Sequence, residues 1–132
     1  MKTAIDTSVL LSVFKAESDA NAWLDRLVRA RREGQLVVCD VVYAELTPAF
    51  SEHEELSKTL AKLGVAFEAV SPAAAWRAGH SFRAYRDAGG PREHLIADFL
   101  IAAHAEVQAD RIAAVDRGYL RRYFADLPLL KA

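Results

Sequence analysis

The sequence lacks several features that would define a class of protein. It contains a single cysteine, Cys39, which excludes a disulfide within the chain and is typical of a reducing compartment. No apolar run approaches the ~20 residues that a membrane-spanning helix needs. The opening residues MKTAIDTSVLL include an Asp and lack the small-residue cleavage site of a signal peptide. We therefore expect a cytoplasmic protein with no membrane partner.

Neither sign of charge is in clear excess, since the chain has 17 basic and 18 acidic side chains. The chain as a whole therefore has no electrostatic pull toward nucleic acid. The charges are unevenly placed, however, and RLVRARR (26–32) and RGYLRR (117–122) form local basic clusters. Each cluster is either an ordinary solvated helix face or a surface that contacts phosphate.

The length and the apolar content fit one folded domain. The 132 residues are 52% hydrophobic, which is enough to build a core and argues against disorder. Strand-like and helix-like segments alternate along the chain. The predicted strands are KTAI, QLVVC, VAFEAV, RIAAV and LPLL. This alternation predicts a single α/β domain over residues 1–132 with a mainly parallel sheet.

Capping and breaking residues predict where several helices begin and end. We expect Asp40 to cap the helix VVYAELTPAF and Pro48 to bend or shorten it. Gly64 should end the next helix, and Ser71 should cap the one after that. The helix that follows should start between residues 91 and 94.

Asp98 is the first unusual residue of the sequence. It stands in HLIADFLIAAHAEV (94–107), an apolar run that predicts a buried helix. Aspartate is rarely buried without a partner, because desolvating its charge is costly. Its neighbours three and four positions away are His94, Leu95, Ile101 and Ala102, so no Lys or Arg offers a salt bridge on the same helix face.

Three more acidic residues also lack an evident cationic partner in the sequence. Asp6 and Asp116 each end a predicted strand, and Glu45 lies in a helix with no cationic neighbour three or four residues away. Each has an ordinary explanation as well, since Asp6 and Asp116 could cap the following helices and Glu45 could point into solvent. Ligands of parallel sheets collect beyond the carboxyl ends of the strands, and all four acids can converge on that one edge.

Four carboxylates without cations would repel one another, and a divalent cation resolves that conflict. An all-carboxylate site favours hard ions such as Mg²⁺ or Mn²⁺, which take the rest of their ligands from water and from substrate phosphate. Two such ions ~4 Å apart would activate a water and stabilise the leaving oxygen of a phosphodiester. The sequence has no Cys/His cluster with zinc spacing that would compete with this interpretation.

Four motifs of the chain, IDTSVL, VVYAEL, LIADFLIAAHA and AAVDRGYLRRYF, resemble those of PIN-domain nucleases, especially VapC-type toxins of bacterial toxin–antitoxin pairs. The likeness covers nearly the whole chain. It implies a PIN-like three-layer sandwich with a mainly parallel sheet of four to five strands, and a Mg²⁺- or Mn²⁺-dependent endoribonuclease. It further implies an RNA substrate, a cognate antitoxin and a homodimer.

By the same resemblance, the metal-binding residues are Asp6, Glu45, Asp98 and Asp116, and Ser8 is the hydroxyl residue that assists at the site. The chain departs from the family pattern at Ala114, where the family often has Thr or Ser. This departure removes one hydrogen bond that would support Asp116.

Two other classes compete with this interpretation. A non-catalytic PIN-like module that binds RNA or protein would tolerate the loss of an acid, and none is lost here. A phosphotransfer domain of the receiver type needs paired acids after the first strand and a Lys late in the chain. The dehalogenase type needs a second Asp where Ser8 stands. The sequence does not favour either phosphotransfer class.

The remaining candidates are weaker. His94 could shuttle protons near Asp98, although a surface histidine is the simpler interpretation. His53, His80 and His104 have no partners that the sequence identifies. Four aromatic residues are expected in the core or a dimer interface, or in base stacking if exposed, namely Trp23, Trp76, Phe82 and Phe99.

Overall fold

A computed structural model describes residues 1–115 and 118–131 of the chain. Within these residues, the strands are β1 (Lys2–Ile5), β2 (Gln35–Val38), β3 (Val65–Phe67) and β4 (Arg111–Ala113). The α-helices are α1 (Thr7–Phe14), α2 (Ala20–Glu33), α3 (Asp40–Leu46), α4 (His53–Leu63), α5 (Pro72–Asp87), α6 (Ile96–Gln108) and α7 (Tyr119–Tyr123).

The strands form one sheet in the order β3-β2-β1-β4, and every pair is parallel. Ile5 at the end of β1 lies opposite Ala113 at the end of β4, so two strands finish side by side at the carboxyl edge. Most residues of β1 and β2 are buried, which requires helices on both faces of the sheet. The predicted α/β fold with a parallel central sheet is confirmed.

Several helix boundaries follow the local signals of the sequence. The Ser71 hydroxyl accepts a hydrogen bond of 3.1 Å from the backbone N–H of Ala74 and caps α5. Gly64 ends α4 with a φ of 72°, a left-handed conformation that glycine adopts without a steric cost. Helix α3 stops at Leu46, and a short 3₁₀-helix at Thr47–Ala49 carries the chain past Pro48.

Helix α6 begins later than its sequence pattern suggests, so the predicted start between residues 91 and 94 is wrong. The Tyr85 hydroxyl donates a hydrogen bond to the Pro91 carbonyl, which fixes the chain before the helix. Leu95 is extended, with φ −108° and ψ 171°, and its backbone N–H donates to Asp98 Oδ2 at 2.9 Å. Asp98 is therefore the third helical residue, and its side chain caps its own helix.

Two predicted strands are shorter in the structure. The segment LPLL (127–130) joins the sheet only through an isolated bridge between Ile112 and Leu129, because Pro128 has no N–H with which to extend the pairing. VAFEAV leaves the sheet after Phe67. The next residue, Glu68, still donates its backbone N–H to the Val38 carbonyl at 2.9 Å, and its side chain forms an ion pair with Lys2.

Asp40 does not cap α3 as predicted. Cys39 occupies the N-cap position, and Asp40 is the first helical residue. The Asp40 Oδ1 atom instead accepts a hydrogen bond of 3.2 Å from the backbone N–H of Val70, in the connection between β3 and α5.

The buried core contains two of the four singled-out aromatic residues, Trp23 and Phe99, together with Cys39. Burial raises the pKa of the Cys39 thiol, which keeps the sulfur protonated and unreactive. Trp76 differs, because 76% of its surface is exposed and its ring stacks on His80. None of the helices in the described part of the chain has the length and apolar character to cross a membrane.

A buried polar network fixes α6 against the sheet. His104, which is 1% exposed, contacts Glu68 Oε1 through Nε2 at 2.9 Å, and Lys2 Nζ binds Glu68 Oε2 at 2.6 Å. Burial lowers the pKa of His104, and the carboxylate of Glu68 opposes that shift only in part. Burial alone would raise the pKa of Glu68, but its hydrogen bonds from Lys2 and His104 prevail and lower it.

Candidate active site

Asp6 lies where β1 ends and α1 begins. Its backbone N–H donates to the Ala113 carbonyl at 3.0 Å, which joins it to the end of β4. It holds the N-cap position of α1, but its side chain makes no capping hydrogen bond. Instead, Ser8 Oγ donates to Asp6 Oδ2 at 2.5 Å. The Asp6 carboxylate is therefore oriented by Ser8 at the carboxyl edge of the sheet.

Glu45 is bound to the first turn of α1 by Thr7, a residue outside the predicted set of site residues. Thr7 Oγ1 donates a hydrogen bond of 2.6 Å to Glu45 Oε1. Adjacent hydroxyl residues, Thr7 and Ser8, thus hold one acid each. Glu45 is exposed and Asp6 is half-buried, so both carboxylates remain accessible to water and to ions.

Asp98 lies in the first turn of α6. Its side chain is 27% exposed, and Oδ2 stands 3.9 Å from Nδ1 of His94, too far for a hydrogen bond. Helix α6 leads directly into the start of β4, so its first turn points back toward the carboxyl edge of the sheet. A backbone group rather than a cation partners Asp98, because the capping bond from the Leu95 N–H satisfies part of its carboxylate.

Asp116 lies outside the described residues, and its predicted role stays a prediction. The chain reaches it from Ala114, which is buried, and Val115, which is exposed. Both follow the end of β4, beside Asp6. The other residue of that gap, Arg117, is likewise not described.

The donor chemistry of the described acids fits a hard divalent cation. Within residues 1–115 and 118–131, no Lys or Arg forms an ion pair with Asp6, Glu45 or Asp98. Their ligand atoms are carboxylate oxygens, which Mg²⁺ and Mn²⁺ prefer. Among the described residues, however, no three acidic, histidine or cysteine side chains lie close enough together to hold an ion. The four-carboxylate site, which also includes Asp116, therefore stays a prediction.

The last two arginines of the first basic cluster and the last two of the second lie at opposite edges of the sheet. Arg31 and Arg32 are in the last turn of α2, next to Gln35, where β2 begins. That position is the amino edge, away from Asp6. Arg121 and Arg122 lie on α7, which follows the carboxyl end of β4, and both are exposed. Of these two pairs, only Arg121 and Arg122 are on the side of the candidate site.

The histidines that had no identified partner are accounted for by structural contacts. His53 Nε2 lies 2.9 Å from the Tyr43 hydroxyl, His80 stacks on Trp76, and His104 belongs to the buried network. His94 lies beside a candidate acid, with its Nδ1 atom 3.9 Å from Asp98 Oδ2.

Comparison with known proteins agrees with this architecture. The family model of the PIN domain matches residues 3–125, so the chain belongs to the PIN domain family. A search of curated protein sequences finds no significant match.

Several solved structures share the fold. VapBC2 from Rickettsia felis, bound to a DNA fragment from its promoter, gives a TM-score of 0.74 at 16% identity and covers 98% of this chain and 97% of the other. VapBC-1 from nontypeable Haemophilus influenzae gives 0.72 at 17% identity, with 98% and 96% covered. A toxin–antitoxin complex from Klebsiella pneumoniae gives 0.64 at 16%, with 98% and 96% covered. At these identities the likeness concerns the fold alone.

Proposed function

We propose that this chain is a Mg²⁺- or Mn²⁺-dependent endoribonuclease, and that it acts as the VapC-type toxin of a toxin–antitoxin pair. The observation that carries the proposal is a pair of hydrogen bonds from adjacent hydroxyl residues. Ser8 donates to Asp6, and Thr7 donates to Glu45. Two acids without Lys or Arg partners are held by neutral hydroxyls at the edge where parallel sheets bind their ligands. Membership of the PIN domain family supports the same chemistry.

The metal ligands in this proposal are Asp6, Glu45, Asp98 and Asp116. When bound, the cation would lower the pKa of a water and stabilise the charge that develops on the phosphodiester. The chain's own contribution is orientation. Ser8 and Thr7 each donate to one carboxylate oxygen and leave the other oxygen of that carboxylate for a ligand. Such outer hydrogen bonds fix the direction in which a ligating carboxylate points.

Asp98 would contribute through the oxygen that does not cap α6. Its Oδ2 accepts from the Leu95 N–H, so the carboxylate is fixed by the first turn of the helix. This arrangement combines a structural and a functional role in one side chain.

The proposed partners follow from the relatives. The structures with the same fold include VapBC assemblies and a toxin–antitoxin complex, which supports a cognate antitoxin for this chain. A homodimer is proposed on the family resemblance, and sedimentation of the purified protein tests it.

A titration that measures metal binding and cleavage together separates a nuclease from a non-catalytic PIN-like module. Wild-type protein should bind Mn²⁺ in a calorimeter and cleave single-stranded RNA. Asp6→Asn and Glu45→Gln should lose both properties while they remain folded. Asp25→Asn, an exposed acid on α2, is the matched control and should keep both. Mn²⁺ binding without cleavage by the wild type would favour the non-catalytic module, and unaltered cleavage by both site variants would contradict the proposed site.

A further inference from the structure

A cleft of about 440 Å³ lies between the end of α5, the approach to α6 and helix α7. Four aromatic side chains and one cation are among the residues that line it, namely Tyr85, His94, Tyr119, Tyr123 and Arg122. These residues are spread over three segments of the sequence, and only the fold brings them together. The hydrolysis proposed above makes no use of this cleft.

The rings of the cleft wall are held by packing. The His94 and Tyr119 ring centroids are 4.3 Å apart, and the Tyr85 centroid is 5.8 Å from that of His94. Tyr85 and Tyr119 both pack on Phe99, which is fully buried. The Tyr85 hydroxyl is bound to the Pro91 carbonyl. The aromatic surface is therefore formed before any ligand arrives, which reduces the entropy that binding must cost.

Two glycines keep the cleft open. Gly89 and Gly118 line it with φ values of 78° and 85°, and a Cβ atom at either position would meet nothing within 4 Å. Their left-handed backbone conformations favour glycine, so these positions add no side chain to the cleft. The cleft is thus lined by backbone at the two glycines and by aromatic rings at the tyrosines and His94.

The cleft adjoins the candidate catalytic acid and carries a cation. His94, which forms part of the wall, has its Nδ1 atom 3.9 Å from Asp98 Oδ2. Arg122 is exposed, and its guanidinium lies 5.4 Å from the centre of the Tyr123 ring. Aromatic faces beside an accessible guanidinium are the features with which proteins bind unpaired bases and the adjoining phosphates.

We propose that this cleft binds one unpaired base of the RNA strand, next to the phosphodiester that lies at Asp98. The inference rests on the proposed nuclease function and adds a subsite to it. Stacking on Tyr119 and His94 would hold the base, and Arg122 would pair with a phosphate of the same strand. The volume is within the range of small-ligand sites and is large enough for a base. An apolar peptide segment fits less well, because it would leave Arg122 without an anionic partner.

The test uses short single-stranded RNAs with 2-aminopurine at successive positions, mixed with the protein in EDTA so that no strand is cut. Stacking quenches 2-aminopurine, and one position should be quenched more than the others. Tyr119→Leu removes the aromatic face but keeps apolar volume, and it should weaken RNA binding roughly 5- to 150-fold. Tyr119→Phe should bind as the wild type does, because stacking does not need the hydroxyl.

A second variant avoids the packed wall. Ala88 is exposed and lines the cleft, so Ala88→Trp should fill the space without disturbing Phe99 and should also abolish the position-specific quenching. Arg83→Ala, at an exposed position of α5 outside the cleft lining, is the matched control and should change nothing. Melting temperatures of all variants verify folding.

The outcomes distinguish this inference from the proposed function. RNA affinity and quenching that are unchanged in both Tyr119→Leu and Ala88→Trp would overturn the base subsite and leave the nuclease proposal standing. Loss of antitoxin binding in these variants, with RNA binding intact, would also overturn it and would assign the cleft to a protein partner. Failure of the wild type to bind any RNA would contradict the nuclease proposal, and the subsite with it.

Discussion

Thr7 Oγ1 donates a hydrogen bond of 2.6 Å to Oε1 of Glu45, across a sequence separation of 38 residues. The contact joins the first residue of helix α1 to helix α3. Ser8, the next residue, holds Asp6 in the same way. The first two residues of α1 therefore orient acids from two different elements. The position of Glu45 relative to Asp6 depends on Thr7, which was not among the predicted site residues.

Removal of the Thr7 hydroxyl should weaken the site without unfolding the protein. Thr7→Val keeps the shape of the side chain but leaves Glu45 without its orienting donor. Substitutions of such outer hydrogen-bond donors reduce metal affinity or activity by roughly 10- to 100-fold, and we expect an effect of that size on Mn²⁺ affinity and RNA cleavage. Thr59→Val, which removes a hydroxyl bonded to a backbone carbonyl in α4, is the matched control and should leave both unchanged. Equal Mn²⁺ affinity in Thr7→Val and wild type would show that the hydroxyl does not position the acid.

Asp98 should reveal its two roles in a comparison of Ala and Asn variants. Asp98→Ala loses the capping acceptor for Leu95 and should lower the free energy of unfolding by about 0.5–2 kcal/mol in EDTA. Asp98→Asn keeps an acceptor oxygen and removes one of several like charges, so it should melt at or above the wild-type temperature in EDTA.

Added Mn²⁺ then tests the ligand role of Asp98. Metal stabilises only through a higher affinity for the folded state, so the wild-type melting temperature should rise and that of Asp98→Asn should rise much less. Cleavage should be lost in the Asn variant. An Asn variant as unstable in EDTA as the Ala variant would mean that the charge itself is structural, and an equal rise with Mn²⁺ would remove Asp98 from the ligand set.

Acid should destabilise the fold through His104 and Glu68. The folded pKa of His104 is lowered, so the unfolded chain takes up a proton first, near the ordinary value of 6.5, and stability falls as the pH drops below it. The folded pKa of Glu68 is also lowered, so its contribution is present above 4.5 and is lost as the pH falls further. The charged groups that act on His104 are Glu68, Lys2 and Asp40.

Urea unfolding on either side of the ordinary histidine pKa measures this effect. The wild type should lose stability between about pH 7.5 and about pH 5.5, and His104→Gln should lose less over the same interval. His80→Gln, at an exposed histidine, is the control and should behave as the wild type does. An equal pH dependence in His104→Gln and wild type would show that this histidine is not the titrating group.

The two basic clusters should differ in their contribution to RNA binding. The pair Arg121→Ala and Arg122→Ala removes charge from α7 at the carboxyl edge and should reduce the slope of log affinity against log salt by ~1 to 2 units. The pair Arg31→Ala and Arg32→Ala removes the same charge from the opposite edge and should leave the slope unchanged. Equal effects of the two pairs would place the RNA across a different surface.

The sequence predicted those parts of the fold that depend on local chemistry. Ser71 caps α5 and Gly64 ends α4 because each acts on its own neighbours. The starting point of α6 could not be predicted in the same way, since it depends on a hydrogen bond between Tyr85 and Pro91. Asp40 likewise bonds to Val70 rather than to its own helix, because a tertiary partner was available.

The candidate site also combines features that follow from the local sequence with features that depend on tertiary packing. The family resemblance named Ser8 as a residue that assists at the site, and in the structure Ser8 donates a hydrogen bond to Asp6. The role of Thr7 depends on where α3 packs, which no spacing reveals. The basic cluster at 26–32 was ambiguous in sequence because charge alone does not specify an edge of the sheet. The place of Arg31 and Arg32 at the amino edge follows from the direction in which α2 enters β2.

The most direct measurement is RNA cleavage by the purified wild-type protein, first in excess EDTA and then after Mn²⁺ is added beyond the chelator. Because the proposed mechanism relies on a bound cation to activate the water, cleavage should stop in EDTA and return with Mn²⁺. An Asp6→Asn preparation made in parallel should stay inactive under both conditions, which excludes a contaminating nuclease. Undiminished cleavage by the wild type in EDTA would contradict the metal-dependent mechanism.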